Sequence, residues 1–404
     1  MDRNESVKLH FNASDYSIQL NRWFLKPVGA WPSSTSTTIG EKIISTILII
    51  ICYSLIAFTV IPCILNILFE ETDVHRQLKA VGSLSHWTIG GINYFSLLFR
   101  SRDIRRCVQH MRTDWQTVTK IEDRQVMLKY AKIGRFVAGM CAIFMHSGVF
   151  FHSLLQGITP TYKTIGNVSV LIHILPCPSY SKLVDNTKSP ESEIALTLQL
   201  MSAMVVNSVT VGACSLAAVF ATHACGQLNV LMRWLDQLDD RRHQDAVQHR
   251  LAIIVEHHLR VLSFVAQMEA LLNQICFMEL LGCTFNLCML GYYVITEWNV
   301  TEKRLSIAYI VIYISMSFNI FIFCYIGETV TEQCKQVGET VYMTNWYRLP
   351  HKTARGLILI ISRSNNVIKL TAGKLVYLSI ATYGDVSTKR CRLISTFNFT
   401  KHFR

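Results

Sequence analysis

Residues 43–69 read IISTILIIICYSLIAFTVIPCILNILF, a stretch without one charged side chain. An α-helix rises 1.5 Å per residue, so about 20 such residues cross roughly 30 Å of hydrocarbon. Soluble domains rarely contain a run of this length, and it places the chain in a membrane. Five further runs follow: Leu78–Phe99, Ile133–Leu155, Ile194–Thr222, Leu262–Ile295 and Leu305–Ile326. A seventh, weaker run covers Val367–Tyr383 and holds Lys369 and Lys374, whose aliphatic stems let their ammonium groups reach the interface. The second run is amphipathic, with His86, Trp87 and Asn93 inside it, as expected of a helix that faces other protein. The expectation is an all-α membrane protein with seven transmembrane helices.

Composition agrees. The 404 residues are 50% hydrophobic and 16% charged, against about 25% charged in soluble domains. The net charge of +12 does not point to nucleic acid, because the basic residues are not gathered on one arm or helix among aromatics. They fill the gaps between apolar runs, where membrane insertion favours them. The thirteen cysteines are scattered and show no C-x-x-C pair or zinc spacing. Most read as small buried hydrophobes. Cys177 lies between the third and fourth runs and is open to an external disulfide, but spacing marks no partner. The first forty residues are polar and lack a signal-peptide core, so the first run would itself serve as the insertion signal.

Charge also orients the spans. Residues 100–135 carry ten lysines and arginines, whereas the next loop, 156–193, carries only Lys163, Lys182 and Lys188. The loop after that, 223–260, holds Arg233, Arg241, Arg242, Arg250 and Arg260. The positive-inside rule places 100–135 and 223–260 in the cytoplasm. The topology is therefore inverted relative to G-protein-coupled receptors, with the N-terminus cytoplasmic and the C-terminus extracellular. No D-R-Y triplet ends the third span, and no N-P-x-x-Y occurs in the last. Of the sequons at Asn4, Asn12, Asn167, Asn299 and Asn398, Asn167 lies in the roomiest external loop and is the expected glycosylation site.

Residues 345–386 read NWYRLPHKTARGLILIISRSNNVIKLTAGKLVYLSIATYGDV. This segment closely resembles the terminal signature of insect odorant receptors: a W-Y pair, an amphipathic helix, an R-S pair and an L-T-A-G-[KR] turn. Those positions are Trp346, Tyr347, Arg363, Ser364 and Leu370 to Lys374. NRWFLKPVGAWP at Asn21–Pro32 resembles the family's N-terminal motif, and the resemblance extends to about Val386. The subclass is similar to the expanded receptors of bees, ants and wasps. Gustatory receptors share the fold but end in a T-Y-x-x-x-x-x-Q-F signature that is absent here. The long second cytoplasmic loop of the shared co-receptor is also missing.

The resemblance implies a ligand-specific tuning subunit. It would form a heterotetramer with the odorant receptor co-receptor, a non-selective cation channel opened by small volatile odorants in the plasma membrane of olfactory sensory neurons. The implied organisation is a cytoplasmic N-terminal segment (1–42), transmembrane helices one to six with an odorant pocket (43–328), a cytoplasmic anchor (329–365), a pore-lining helix seven (366–386) and an atypical basic tail (387–404). Trp346 and Tyr347 would pack in the anchor. Gly373 would mark the break between the halves of helix seven, and Tyr377, Ser379, Thr382 and Tyr383 would supply pore-facing positions. Family members continue past Val386 with an apolar stretch, whereas this chain reads STKRCRLISTFNFTKHFR. Val-Ser-Thr can be encoded by a splice-donor consensus, so the expectation is that these residues are retained intron.

A pocket for volatile ligands needs apolar and aromatic walls with few polar groups. The outer halves of spans two, three, four and six offer Trp87, Phe144, Met145, Phe150, Phe151, Met201, Met204, Tyr309 and Tyr313. Each taken alone reads more readily as an interhelical or lipid-facing residue, and the ligand reading rests on the set. His86 and His146 would orient a ligand carbonyl or hydroxyl, or bond between helices. Adjacent histidines in EHHLR (His257, His258) point about 100° apart on a helix and do not share a metal ion easily, so they read as a solvated face. No cofactor, metal site, nucleophile elbow or phosphate loop is expected. The competing readings are a gustatory-type channel acting without the co-receptor and a transporter; against the latter, no paired hydropathy repeat or broken-helix pair appears.

Overall fold

A computed structural model describes the chain apart from residues 1–2, 33–37, 159–160, 166–167, 173–174, 186–187, 189, 239–243, 298–302, 390–391 and 393–404. The elements are α1 (Arg3–Leu25), α2 (Ile39–Phe69), α3 (Val74–Phe99), α4 (Ser101–Thr117), α5 (Ile121–Ile158), β1 (Thr161–Ile165), β2 (Val168–Ile172), α6 (Glu191–Asp236), α7 (Gln244–Glu297), α8 (Lys303–Met343), α9 (His351–Asn365), β3 (Thr371–Ala372), β4 (Val376–Tyr377) and α10 (380–389). Among the described residues, five helices are long and apolar enough to cross a membrane: α2, α5, α6, α7 and α8. The expected second span, α3, falls short of that apolarity because it carries Arg76, Lys79, Ser83, Ser85, His86 and Asn93. It packs instead against α2, α6 and α7.

The centre of the bundle is α6. From Val209 to Ala221 every residue is buried, and the segment reads VTVGACSLAAVFA. A helix apolar on all sides belongs in a core, and small side chains let neighbouring backbones approach where lipid offers no hydrophobic drive. Helices α1, α2, α3, α5, α7 and α8 all lie against it. At Gly90 of α3 the approach is so close that an added Cβ would overlap the Val206 side chain. The Asn21–Pro32 motif wedges into this packing. Leu25 is buried against Gly212, the Asn21 amide donates to Ser215 Oγ at 3.2 Å, and the Tyr94 hydroxyl donates to the Val28 carbonyl.

Helices α6, α7 and α8 run for 46, 54 and 41 residues, about twice what a bilayer needs. Their excess turns gather with α4 and α9 into a second packed layer at one end, the anchor end. There Asp114 accepts from His223 Nε2 at 2.9 Å and from Arg260 Nε at 2.6 Å. Burial alone would raise the Asp114 carboxyl, but the hydrogen bond and charge of His223, with the charges of His110 and Arg260, hold it below the ordinary carboxylate range. This layer corrects the expectation for EHHLR. His258 is buried and His257 packs on Trp234 at 4.8 Å, because the overlong helices cover a face that would otherwise be solvated.

Helix seven is not continuous over 366–386. The Leu370-Thr371-Ala372-Gly373-Lys374 sequence forms a hairpin in which β3 pairs antiparallel with β4, and helix resumes only at residue 380. The break therefore extends on both sides of Gly373. One face of α7 holds the hairpin through Glu269, Asn273 and Phe277, spaced four apart. Glu269 accepts from the Thr371 N–H at 2.9 Å and from its hydroxyl, and the Asn273 carbonyl accepts the Gly373 N–H at 2.8 Å. Gly373 sits at φ +62°, where a Cβ would also lie 2.9 Å from Phe277. Glu328 of α8 accepts the Ile380 N–H at 3.3 Å, placing a carboxylate at the start of α10.

Gly373→Val combines left-handed strain with a clash, at a cost of about 1–3 kcal/mol. It is expected to lower the melting temperature of the detergent-solubilised protein. Gly139→Ala, where a Cβ meets nothing within 4 Å, should leave it unchanged; equal melting curves for the two variants would refute the hairpin's structural role.

Candidate ligand cavity

Opposite the anchor end, the helices diverge around a cavity of about 490 Å³. Its walls follow helical spacing: Gly82, Ser83, His86 and Trp87 from α3, Met145, Gly148 and Val149 from α5, and Leu200, Ala203 and Asn207 from α6. Asn286, Met289, Leu290 and Tyr293 come from α7 and Tyr309, Ile312, Ser315 and Met316 from α8. Leu175, Pro176 and Pro178 of the segment before α6 close the top, and Glu71, Arg76 and Lys79 stand at the rim. Mostly apolar walls with a few placed polar groups suit a small organic ligand.

The polar groups in the wall are largely committed to the protein. The Asn207 amide donates to the Met145 carbonyl at 2.6 Å, and the Ser315 hydroxyl donates to the Phe144 carbonyl at 2.9 Å. The Tyr293 hydroxyl donates to the Leu78 carbonyl at 2.5 Å. Trp87 differs. It is buried, and its indole N–H has no acceptor among the described residues, although such donors usually find one.

Beneath the cavity a smaller space of about 20 Å³ shares His86, Met145, Asn286 and Met316 as walls and is lined at depth by Glu279 of α7. The Glu279 carboxyl accepts from the Asn93 amide at 2.7 Å and from the Asn319 amide at 3.0 Å, tying α7 to α3 and α8. An acidic side chain inside a span is costly and persists only when it is hydrogen-bonded.

Three of the residues expected to bind odorant, Trp87, Met145 and Tyr309, line the cavity, and His86 joins them. The others do not. Phe144 stacks on Phe318 at 4.4 Å, and Tyr313 packs with Leu287 and Cys324. Phe150, Phe151, Met201 and Met204 are exposed on the outside of the bundle. His146 sits edge-on to Phe24 of α1 at 6.4 Å. Successive helical residues turn by 100°, and on α5 that turn directs Met145 to the cavity and Phe144 to Phe318. Extending helical spacing from Tyr309 reaches Ile312, Ser315 and Met316, and α7 carries its own stripe at Asn286, Met289, Leu290 and Tyr293, a span from which no wall residue was expected. Asn167 and Asn299 lie outside the described residues.

At the other expected sites, Trp346 and Tyr347 form a single 3₁₀ turn and meet edge to face at 6.1 Å. Both are exposed within this chain rather than packed in it. On the hairpin and α10, Tyr377 is exposed and lies under the Lys369 ammonium at 4.8 Å. The Ser379 and Thr382 hydroxyls bond each other at 3.0 Å, while Tyr383 faces Phe321 of α8 at 5.5 Å.

Comparison with known proteins gives this geometry a family. The family model described as 7tm odorant receptor matches residues 73–388. The chain belongs to that family. Odorant receptor 82a of Drosophila melanogaster is 21% identical over 387 residues, 94% of this chain and 97% of its own length. Odorant receptor 10 of Aedes albopictus is 24% identical over 233 residues, 57% of this chain and 61% of that one. The insect olfactory receptor OR5 from Machilis hrabei in complex with eugenol superimposes with a TM-score of 0.77 at 12% identity, over 97% of this chain and 99% of that one. A second structure of the insect olfactory receptor OR5 from Machilis hrabei gives 0.73 at 14% identity, over 95% and 98%. This odorant receptor thus has the insect olfactory receptor fold, and membership places it among membrane-spanning chemoreceptors rather than enzymes. The family match ends two residues beyond Val386, and most of the basic tail lies outside the described residues.

Replacing Glu279 by Leu strands the Asn93 and Asn319 amides, at about 1–3 kcal/mol for each unsatisfied buried group. Glu279→Gln keeps an acceptor oxygen and should cost much less. Thermal unfolding in detergent is expected to rank wild type first, then Glu279→Gln, then Glu279→Leu; a leucine variant as stable as wild type would refute the bridging role.

Proposed function

We propose that this receptor is the ligand-specific subunit of an odorant-gated, non-selective cation channel, assembled with the shared co-receptor in the plasma membrane of olfactory sensory neurons. The observation that carries the reading is the 490 Å³ cavity with Trp87 in its wall. Its size and its mostly apolar lining fit a small volatile molecule. The Machilis receptor of the same fold was solved with eugenol, a small aromatic compound.

Partnership is supported at the anchor end. Tyr342, Met343, Trp346, Tyr347, Ile358 and Leu359, at the end of α8, in the turn after it and on α9, are all exposed within this chain. Exposed apolar patches mark protein interfaces, and the W-Y pair of the family signature is among these residues. In the assembly Trp346 and Tyr347 would bury against a neighbouring subunit. Tyr377 and the exposed side of α10, with Ile380, Ala381, Gly384 and Asp385, would face the pore. The orientation with a cytoplasmic N-terminus is supported by the ten basic residues of 100–135, eight of which lie on α4 and the first half of α5 at the anchor end.

Odorant-evoked current is expected only when the chain is expressed together with the co-receptor. Ala203→Phe, which fills the cavity from α6, should raise the half-maximal concentration at least tenfold without lowering surface expression. Current without the co-receptor would favour a gustatory-type channel, and silence across a broad panel at normal surface expression would refute odorant gating. At the anchor, the double change Trp346→Ala and Tyr347→Ala should sharply reduce co-purification with the co-receptor; undiminished recovery would place the interface elsewhere.

A further inference from the structure

The segment over the cavity is held by an unusual density of hydrogen bonds for a non-helical stretch. Gln199 of α6 grips Cys177 by both main-chain groups: the Cys177 N–H donates to Gln199 Oε1 at 3.0 Å, and its carbonyl accepts from Gln199 Nε2 at 2.9 Å. The Tyr180 N–H donates to the Pro62 carbonyl at 3.1 Å, and the Asn66 amide donates to the Ser179 carbonyl at 3.4 Å. Pro62 and Asn66 flank Cys63 on α2. The two thiols, both fully buried, belong to the same packed cluster and face each other between these clamps. On either side of Cys177, Pro176 and Pro178 line the cavity.

We propose that Cys63 and Cys177 form a disulfide that fixes the roof of the ligand cavity to α2. The pairing rests on the orientation proposed above, which puts this end of the bundle outside the cell and hence in the oxidising lumen during synthesis. Each thiol gives up its proton and the sulfurs join. The two electrons pass by thiol–disulfide exchange to a protein disulfide oxidant, whose own disulfide becomes a dithiol. The sulfurs must close to about 2.05 Å, and rotation of the Cys177 side chain supplies that shift while Gln199 holds its main chain.

A second close pair serves as an internal contrast. Cys141 and Cys214 lie with their sulfurs 3.3 Å apart, but both sit on regular helices deep in the bundle. They have no access to an oxidant, and they stay thiols. The Cys63–Cys177 link would hold Pro176 and Pro178 in place, so the crosslink would set how readily a ligand enters and leaves.

The test maps thiols in the full-length receptor, co-expressed with the co-receptor and alkylated in denaturant before a non-reducing digest. The expected result is a Cys63–Cys177 peptide pair that separates on reduction, with Cys141 and Cys214 recovered alkylated. Recovery of Cys63 and Cys177 both alkylated would overturn the proposal. An N-terminal epitope tag separates that failure from a failure of orientation: a tag silent in intact cells leaves the orientation standing, and a tag accessible there removes it too. In current recordings a membrane-impermeant reductant should shift the odorant dose–response several-fold in wild type. It should not do so in the Cys63→Ser, Cys177→Ser double variant, and an equal shift in that variant would refute the functional link.

Discussion

The arrangement depends on one constraint, that a helix packed on every side must offer its neighbours almost no side chain to avoid. In a bilayer each backbone polar group has to be satisfied within its own helix, so packing is left to side-chain shape. Helix α6 meets this with Gly212, Ala213, Cys214, Ser215, Ala217 and Ala218 in its buried stretch. Six helices close around it, and its neighbours answer in kind where Gly90 meets Val206. Tight contact along α6 then forces the remaining volume to appear where the helices diverge, and the cavity lies there.

Polar side chains divide the molecule into working layers. At the anchor end, Asp114 with His223 and Arg260 joins α4, α6 and α7 by charged hydrogen bonds. In the middle, Glu279 with Asn93 and Asn319 joins α3, α7 and α8. Both clusters touch α7, which also carries four cavity residues and the Glu269–Asn273–Phe277 face that seats the hairpin. A single helix therefore contacts the cavity, the buried acid and the turn leading into α10.

The family signature acquires physical content in this setting. Thr371 and Gly373 are needed because their backbone groups bond to α7, and at Gly373 a positive φ meets the Phe277 ring. Trp346 and Tyr347 answer to a different demand, since nothing in this chain buries them. One half of the motif is thus read within the subunit and the other at its surface.

The amino-acid sequence by itself determined the membrane class, the apolar centres of the long helices, the charge asymmetry between the ends and the family, because runs of apolar residues and short motifs are local properties. It also located Trp87, Met145 and Tyr309, whose residue types suit a ligand wall. Only the tertiary structure decided that Phe150, Met201 and Met204 turn outward and that α7 supplies a wall, because membership in a span does not fix rotation about its axis. In the same way it resolved Val367–Tyr383 into hairpin and helix, where Glu269 and Asn273 capture backbone groups that a straight helix would have used internally. It also brought Cys63 to Cys177: residues far apart in the chain become neighbours only when the bundle folds.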